Sequence, residues 1–444
     1  MRCRVWRRNR RLSIKRVPLV AYVKFAAANR RLVSFGFLVA FASSFGQTYY
    51  IGVFGPAIQS EFGLSHTAWG TIYMLGTLGS ALLLPWTGKQ IDRLDLRLYT
   101  ALVGILAVLA CTTTALTVNP AMLVVAIFLL RQSGQGLMSH VGITSMARYF
   151  DTGRGRAIAI ATMGFAVGEA LLPFVAVVMI AALGWRWSYG ATALALALVL
   201  VPAALWLLRG HVHRHRAHLV QLAAPRTSEI VHTRSWTRAE MLRDLRFYLL
   251  MPGILVPSLV LTAMFFHHLN LADAKAWSHA WMTGSYVIYA LAIVVTSLMA
   301  GPAIDRYGAV RLVPYMLIPL IAALLIVAEF HDPWIAWPYL FLIGVSTAIA
   351  HTAVSAMWAE IYGVTHLGAI RSLTTAISVL ASALGPVSLG VLMDLGVSIE
   401  TGCLLFALYA TIGTLLMGVA LRLRVSRVHA SMTHGIEKKK SPES

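Results

Sequence analysis

The sequence predicts an all-α polytopic membrane protein with twelve transmembrane helices in two pseudo-symmetric bundles of six. Hydrophobic residues make up 58% of its 444 residues and charged residues only 12%, which is not the composition of a soluble domain. Twelve apolar runs reach the length of about 20 residues that a spanning helix needs. Residues of the first half also recur in the second at a fixed offset of 213 positions, which indicates a duplication.

The repeat is clearest in a charged turn between two apolar runs. GKQIDRLDLR begins at Gly88, and GPAIDRYGAVR begins at Gly301. Gly88, Asp92 and Arg93 match Gly301, Asp305 and Arg306, and beyond the turn Pro120, Tyr149, Gly155 and Pro173 match Pro333, Tyr362, Gly368 and Pro386. Charged turns are costly in hydrocarbon, so both copies are expected in water at one membrane face.

The apolar runs divide the chain into five segments. We expect a basic cytoplasmic arm at 1–33, a six-helix bundle at 34–208, a cytoplasmic linker at 209–245, a second bundle at 246–421 and a cytoplasmic tail at 422–444. The expected spans are 34–56, 67–87, 98–117, 120–147, 155–181, 187–208, 246–269, 278–300, 312–329, 333–359, 369–393 and 399–421.

The placement of the basic residues argues against a nucleic-acid partner despite a net charge of +20. Only Arg186 and Lys275 fall in the connections that we place outside the cell, and Arg131 falls inside a span. All other lysines and arginines lie in the arm, in the tail, or in the connections that follow the even-numbered spans, including the span ends next to those connections. This positive-inside bias predicts a multi-pass protein of the cell inner or plasma membrane with both termini in the cytoplasm.

No motif of enzyme chemistry is present in the sequence. It lacks a phosphate-binding Walker motif, a Gly-x-Ser-x-Gly elbow and a His-Glu-x-x-His pair. The three cysteines are scattered, and the cluster HVHRHRAH at 211–218 has no acidic or cysteine partner nearby. We therefore predict no enzyme activity, no cofactor and no metal site.

Polar and aromatic residues in three spans are candidates for lining a substrate cavity. Gln47 and Tyr50 lie in the outer half of the first span, where they indicate either a cavity-facing polar stripe or an interfacial aromatic belt. His351 in the tenth span is a further candidate, although a histidine in a span is more often a hydrogen-bonded packing residue than a titrating one. Tyr286 in the eighth span is a weaker candidate of the same kind.

Arg131 and Glu169 lie deep inside the fourth and fifth spans. Arg131 is eleven residues past Pro120, about 16 Å along the helix. Glu169 lies about 21 Å along the next helix, at a similar depth. A charge at this depth is a functional candidate by default. A buried pair would cost far less than either charge alone, and if it forms each side chain keeps the other ionised. With or without the pair, Glu169 is the candidate proton carrier, unless a static pair only fixes helix packing. Arg131 is a functional candidate unless backbone carbonyls merely hold it.

Twelve spans in two halves, a basic linker and the duplicated G-x-x-x-D-R turn resemble the major facilitator superfamily. RYFDTGRGRAIAIATMGFAVGEALLP and AEIYGVTHLGAIRSLTTAISVLASALGP are similar to its monocarboxylate and oxalate–formate branch. The resemblance implies alternating access about a site at the bilayer midplane. It departs from the antiporter motif R-x-x-x-G, because Gln135 stands four residues after Arg131.

The resemblance also implies a latch between the halves on the cytoplasmic side. Asp92 would approach the start of the eleventh span near Gly368, and Asp305 the start of the fifth near Gly155. Arg93 and Arg306 would hold acids at nearby helix ends, with Glu360 as the partner of Arg306. The latch residues are Gly88, Asp92, Arg93, Arg97, Gly301, Asp305, Arg306 and Glu360.

These features predict a monomeric secondary transporter for a small organic solute, coupled to protons or to exchange. A carboxylate is the first candidate substrate, with Arg131 holding the anion. Two alternatives remain open at this point: a drug/proton antiporter of the same fold, and a transport-inactive sensor.

Overall fold

The computed structural model describes residues 19–150, 153–210, 236–363 and 366–422, apart from the side chains of 19–22, Gly301 and Asp305. Most of the basic arm, the linker and the tail therefore lie outside the described residues. The N-terminal half contains α1 (Leu19–Ala28), α2 (Arg30–Ala42), α3 (Thr48–Val53), α4 (Gly55–Phe62), α5 (His66–Asp92), α6 (Leu96–Ala115), α7 (Pro120–Tyr149), α8 (Arg154–Leu183) and α9 (Trp185–Leu207).

The C-terminal half follows a short helical turn at Arg238–Met241. It contains α10 (Leu245–Phe266), α11 (His268–Ala274), α12 (His279–Ile304, continuing as helix to Tyr307), α13 (Ala309–Glu329), α14 (Pro333–Tyr362), α15 (Leu367–Asp394) and α16 (Ile399–Arg422). Eleven of these helices are long and apolar enough to cross a membrane.

The first predicted span is not a single helix, which is why eleven helices rather than twelve qualify. After α2, a 3₁₀ segment at Ser43–Gly46 ends at Gln47, whose backbone is extended at φ −86° and ψ 154°. Helix resumes at Thr48 as α3 and continues as α4. The run still covers the length of a span, but its middle is interrupted, and this interruption leaves backbone groups of the 3₁₀ segment free of helical partners.

The duplication is visible in where the helices begin. The helices α5, α6, α7 and α8 start at His66, Leu96, Pro120 and Arg154, and their counterparts start 213 positions later, at His279, Ala309, Pro333 and Leu367. The capping residues repeat as well. Ser65 accepts a hydrogen bond from the amide of Ala68, and Ser278 accepts one from the amide of Trp281. Each serine thus satisfies an amide that the first helical turn leaves without a partner.

The two ends of the bundle are named here by their residues. The hairpin face carries the 3₁₀ end of α5 with the turn that follows it (Lys89–Asp95) and the end of the α12 helix with its turn (Tyr307–Gly308). The far face carries the starts of α5 and α12 and the ends of α8 and α15.

Candidate functional site

Arg131 lies at the point where α7 changes from α-helical to π-helical turns. The π-helical segment covers Arg131–Met138, and such segments are frequent at functional sites. The guanidinium is only 2% exposed. Its Nη1 donates to the carbonyl of Gly46 at 3.2 Å and to Thr48 Oγ1 at 3.4 Å, and it lies over the ring of Tyr73 at 5.2 Å.

The break in the first span explains why a cation is stable at this position. Gly46 is the last residue of the 3₁₀ segment, so its carbonyl belongs to the partially negative end of a helix. Gly46 also packs directly on the π-helical segment, because a Cβ placed on it would lie 2.8 Å from the Cα of Gly134. The arginine is therefore held by a neighbouring backbone carbonyl, the structural reading that the sequence left open.

Glu169 lies in the middle of α8 and is partly exposed. Among the described residues its carboxylate takes part in none of the hydrogen bonds or ion pairs. It lies within electrostatic range of Tyr49 in the N-terminal half and of Tyr286 and Tyr289 in the C-terminal half. The carboxylate therefore stands where the two halves meet.

The pair between Arg131 and Glu169, which the sequence left open, is not formed among the described residues. The ion pairs of the described residues do not include it. Similar depth in the membrane does not bring the two side chains together, because the rotation of each helix about its axis decides where its side chain points. Arg131 contacts Gly46 and Thr48 at the break in the first span. Glu169 instead lies within electrostatic range of Tyr49 on α3 and of the tyrosines on α12.

Tyr50, a predicted cavity residue, faces the interior of the N-terminal half instead. It is 2% exposed, its hydroxyl lies 3.1 Å from Thr192 Oγ1 on α9, and its ring packs on Phe45, Phe54 and Tyr189. The residue before it, Tyr49, is the one that contacts the other half. Successive residues on a helix point about 100° apart, so only one of the two could face the cavity.

An aromatic cluster on the C-terminal half surrounds Phe265, which the sequence did not single out. The ring centroid of Phe265 lies 5.0 Å from Tyr289, 5.4 Å from Tyr286 and 6.4 Å from Tyr49. Tyr286, a predicted site residue, is fully buried, and its hydroxyl lies 2.7 Å from His268 Nδ1. Tyr286 therefore belongs to this cluster.

The exposure of Gln47 and His351 is compatible with a place in the wall of a cavity. Gln47 is partly exposed at the break in the first span. His351 is exposed on the half of α14 nearer the hairpin face, and the described residues provide no hydrogen bond to its ring. Their part in substrate binding stays a prediction.

The halves are joined on the far face by a seam between α5 and α15. Asp394, the last residue of α15, accepts hydrogen bonds from the amides of His66 at 3.0 Å and Thr67 at 2.8 Å in the first turn of α5. Below this cap, Trp69 stacks on Phe266 at 5.3 Å. A Cβ at Gly390 would lie 2.6 Å from the carbonyl oxygen of His66, so α15 approaches α5 at backbone distance.

Two further ion pairs of the far face stay within one half. Arg186 hydrogen-bonds Glu61 in the N-terminal half, and this bond lowers the pKa of the Glu61 carboxyl. Lys275 pairs with Glu400 at 3.4 Å in the C-terminal half. These contacts fix loops inside each half and do not tie the halves together.

On the hairpin face, the first charged turn is closed within the N-terminal half. Asp92 forms an ion pair with Arg148 at the end of α7, and Arg148 Nη1 also donates to the carbonyl of Ile91 at 2.9 Å. Arg93 and Arg97 are exposed, and the amide of Arg97 donates to Asp95. Gly88 is buried at the end of the α-helical part of α5.

The second charged turn differs from the prediction for Glu360. Its carboxylate accepts from the amides of Ala309 at 2.8 Å and Val310 at 3.0 Å, so it caps α13. Arg306 instead lies over the ring of Tyr307 at 5.2 Å. The expected Arg306–Glu360 pair is wrong here, since two backbone amides already occupy the carboxylate. The side chain of Asp305, like Gly301, lies outside the description.

The Asp92 contact of the latch is not formed in this conformation, because Asp92 pairs with Arg148 of its own half. A Cβ placed at Gly368, where Asp92 was expected to dock, would meet no described atom within 4 Å. The Asp305 contact near Gly155 lies outside the described side chains. The hydrogen bonds, ring contacts and close glycine contacts that the described residues make between halves lie toward the far face. The described part of the molecule is thus closed at the far face and separated at the hairpin face, the state in which such a latch is broken.

Sequence comparison identifies the protein family. A sequence model of the Major Facilitator Superfamily matches residues 36–386. The chain belongs to the major facilitator superfamily. Membership makes it a multi-pass membrane transporter of the secondary type rather than an enzyme. No curated protein sequence matches the chain.

Solved structures share this superfamily's fold with the chain. The nucleoside transporter NupG is 14% identical, with a TM-score of 0.70 over 89% of this chain and 99% of that one. A bacterial homolog of the human lysosomal transporter Spinster, inward-facing and occupied, is 13% identical, with a TM-score of 0.62 over 90% and 97%. At these identities the likeness concerns the fold alone. It does not single out the monocarboxylate branch.

Proposed function

We propose that this superfamily member carries a small organic solute across the plasma membrane by alternating access, coupled to protons through Glu169. The hairpin face is assigned to the cytoplasm, because basic residues of the even-numbered connections concentrate there. The conformation described would then be open to the cytoplasm and closed outside.

One observation carries the proton assignment. Glu169 is the one acidic residue of the described spans that lies more than a helical turn from a helix end. Its carboxylate is partly exposed, makes no ion pair with the described residues and stands between tyrosines of both halves. A carboxyl in this position changes its surroundings whenever the halves move, so motion and proton binding are linked.

A carboxylate substrate held by Arg131 is the second candidate. In its favour, Nε of the buried Arg131 has no hydrogen-bond partner among the described residues. Against it, the guanidinium is already held by Gly46, Thr48 and Tyr73 and is almost inaccessible. An anion could reach it only after the break in the first span had moved.

The test is transport by the purified full chain in proteoliposomes containing a pH-sensitive dye. We expect a panel of labelled organic cations, nucleosides and carboxylates to contain a solute whose flux follows an imposed pH gradient. In Glu169→Gln, this solute should no longer move protons. Glu329→Gln, an exposed acid at the end of α13, is the matched control and should retain full coupling. Unchanged proton movement in Glu169→Gln would refute the assignment.

A further inference from the structure

The charge balance around Glu169 favours a positively charged ligand. Arg131, the basic residue at comparable depth, is buried and turned toward Gly46 and Tyr73. The described residues offer no other cation in the middle of the spans. An unpaired carboxylate in a site of low dielectric attracts a cation more strongly than it would in water.

The hydrogen-bonding groups near the carboxylate are already engaged elsewhere. The hydroxyl of Tyr49 donates to Ser44 Oγ at 2.9 Å, and that of Tyr286 bonds His268 at 2.7 Å. The Glu169 oxygens receive no hydrogen bond from these tyrosines, although they lie within electrostatic range. The carboxylate therefore keeps its acceptor capacity for an N–H donor from outside the protein.

Phe265 packs on the tyrosines of both halves that lie within electrostatic range of Glu169. Phe265 contacts Tyr49 across the interface and Tyr289 within its own half. The faces of such rings carry partial negative charge and attract ammonium groups within about 6 Å. A lone carboxylate with several rings is a combination suited to an organic ammonium ion, and it does not suit an anion.

We propose that the partly exposed carboxylate of Glu169 binds the ammonium group of an aromatic or alkyl amine beside the buried ring cluster of Tyr49, Phe265 and Tyr289. This inference rests on the proposed transport function and adds its substrate class. Cation and proton then compete for one carboxylate: binding a monovalent amine releases one proton, and loss of the amine allows the proton to return. Tyr49 on α3 and Tyr286 and Tyr289 on α12 are the titratable groups that face Glu169. The cycle exchanges one positive charge for another.

The test is isothermal titration calorimetry on the purified full chain with three sets of probes. Each set contains an aromatic amine, its neutral alcohol isostere and its carboxylate isostere, beginning with phenethylamine, phenethyl alcohol and phenylpropionate. We expect the amines to bind at least about tenfold more tightly than the alcohols, and the carboxylates not to bind. Repeating the titration in buffers of different ionisation enthalpy should give close to one proton released per amine.

Variants separate this site from a general effect of charge. Glu169→Gln should weaken amine binding at least about tenfold and abolish proton release, while Phe265→Leu should weaken it about threefold with proton release retained. Glu329→Gln should change neither. Thermal unfolding of each variant shows that it is folded.

The outcomes distinguish the two proposals. Amines that fail to bind, or bind Glu169→Gln as well as the unmodified chain, overturn the cation site. Preferential binding of carboxylates would overturn it as well, in favour of Arg131. Amine binding that depends on Glu169 but releases no proton would support the cation site and refute proton coupling.

Discussion

The two faces of this transporter hold their carboxylates in different ways. On the far face, Asp394 reaches across the interface and caps α5 of the other half. On the hairpin face, Asp92 and Glu360 bind partners within their own halves. Carboxylates at helix ends therefore join the halves at the far face, whereas at the hairpin face they bind only within their own half. What decides the conformation is which partner each acid finds, not how many acids are present.

The largest effect is expected from added bulk at the seam between α5 and α15. Gly390→Val places side-chain atoms where the backbone of His66 now lies, and overpacking of this kind costs about 2 kcal/mol or more. We expect most molecules to open at the far face. Spin labels at Ser60 and Thr401, both exposed on that face in opposite halves, should report a longer distance. Gly418→Val, in open space on α16, should leave the distance unchanged. An unchanged distance in Gly390→Val would mean that the seam tolerates this bulk.

A smaller effect is expected when Asp394, which caps the start of α5, is changed. Asp394→Asn removes the negative charge at the start of α5 and replaces one of the two acceptor oxygens with an NH₂ donor, which costs about 1 kcal/mol. This corresponds to about a fivefold shift toward the far-open state with the same labels. The control is Asp332→Asn, because Asp332 caps Trp334 inside its own half. If both variants shift the distance equally, the bridging position of Asp394 is irrelevant.

The smallest effect should come from the hairpin face, where two variants are expected to act in opposite directions. Arg148→Gln frees Asp92 to approach α15 and should favour closure of that face. Asp92→Asn removes the acid and should favour its opening. Exposed ion pairs contribute about 1 kcal/mol or less, so each shift is less than about fivefold. Labels at Lys89 and Arg371 measure it. Shifts in the same direction would contradict the latch.

The fold was largely predictable because its signals are local and repeated. Spanning length, capping serines and the G-x-x-x-D-R turns are all properties of consecutive residues, and the offset of 213 positions recurs in the helix starts. The family assignment followed from the same signals, whereas the narrower branch did not.

The sequence singled out residues of the candidate site but not the contacts that they make. The sequence singled out Arg131, Glu169 and the polar end of the first span. It gave no sign of the π-helical turns at Arg131–Met138 or of the extended backbone at Gln47, and these turn the arginine away from Glu169. Choosing Tyr49 over Tyr50 required the rotation of a short helix, which a run of apolar residues does not specify.

The contact between Gly46 and Gly134 has a mechanical consequence. Two helices of the N-terminal half lose regular geometry at the same level and touch there, backbone against backbone, with a buried positive charge beside the joint. A bend at that level cannot occur in one helix without displacing the other. Any flexing of the first span at Gly46 during transport would therefore be transmitted to the fourth span, α7, and the two would move together.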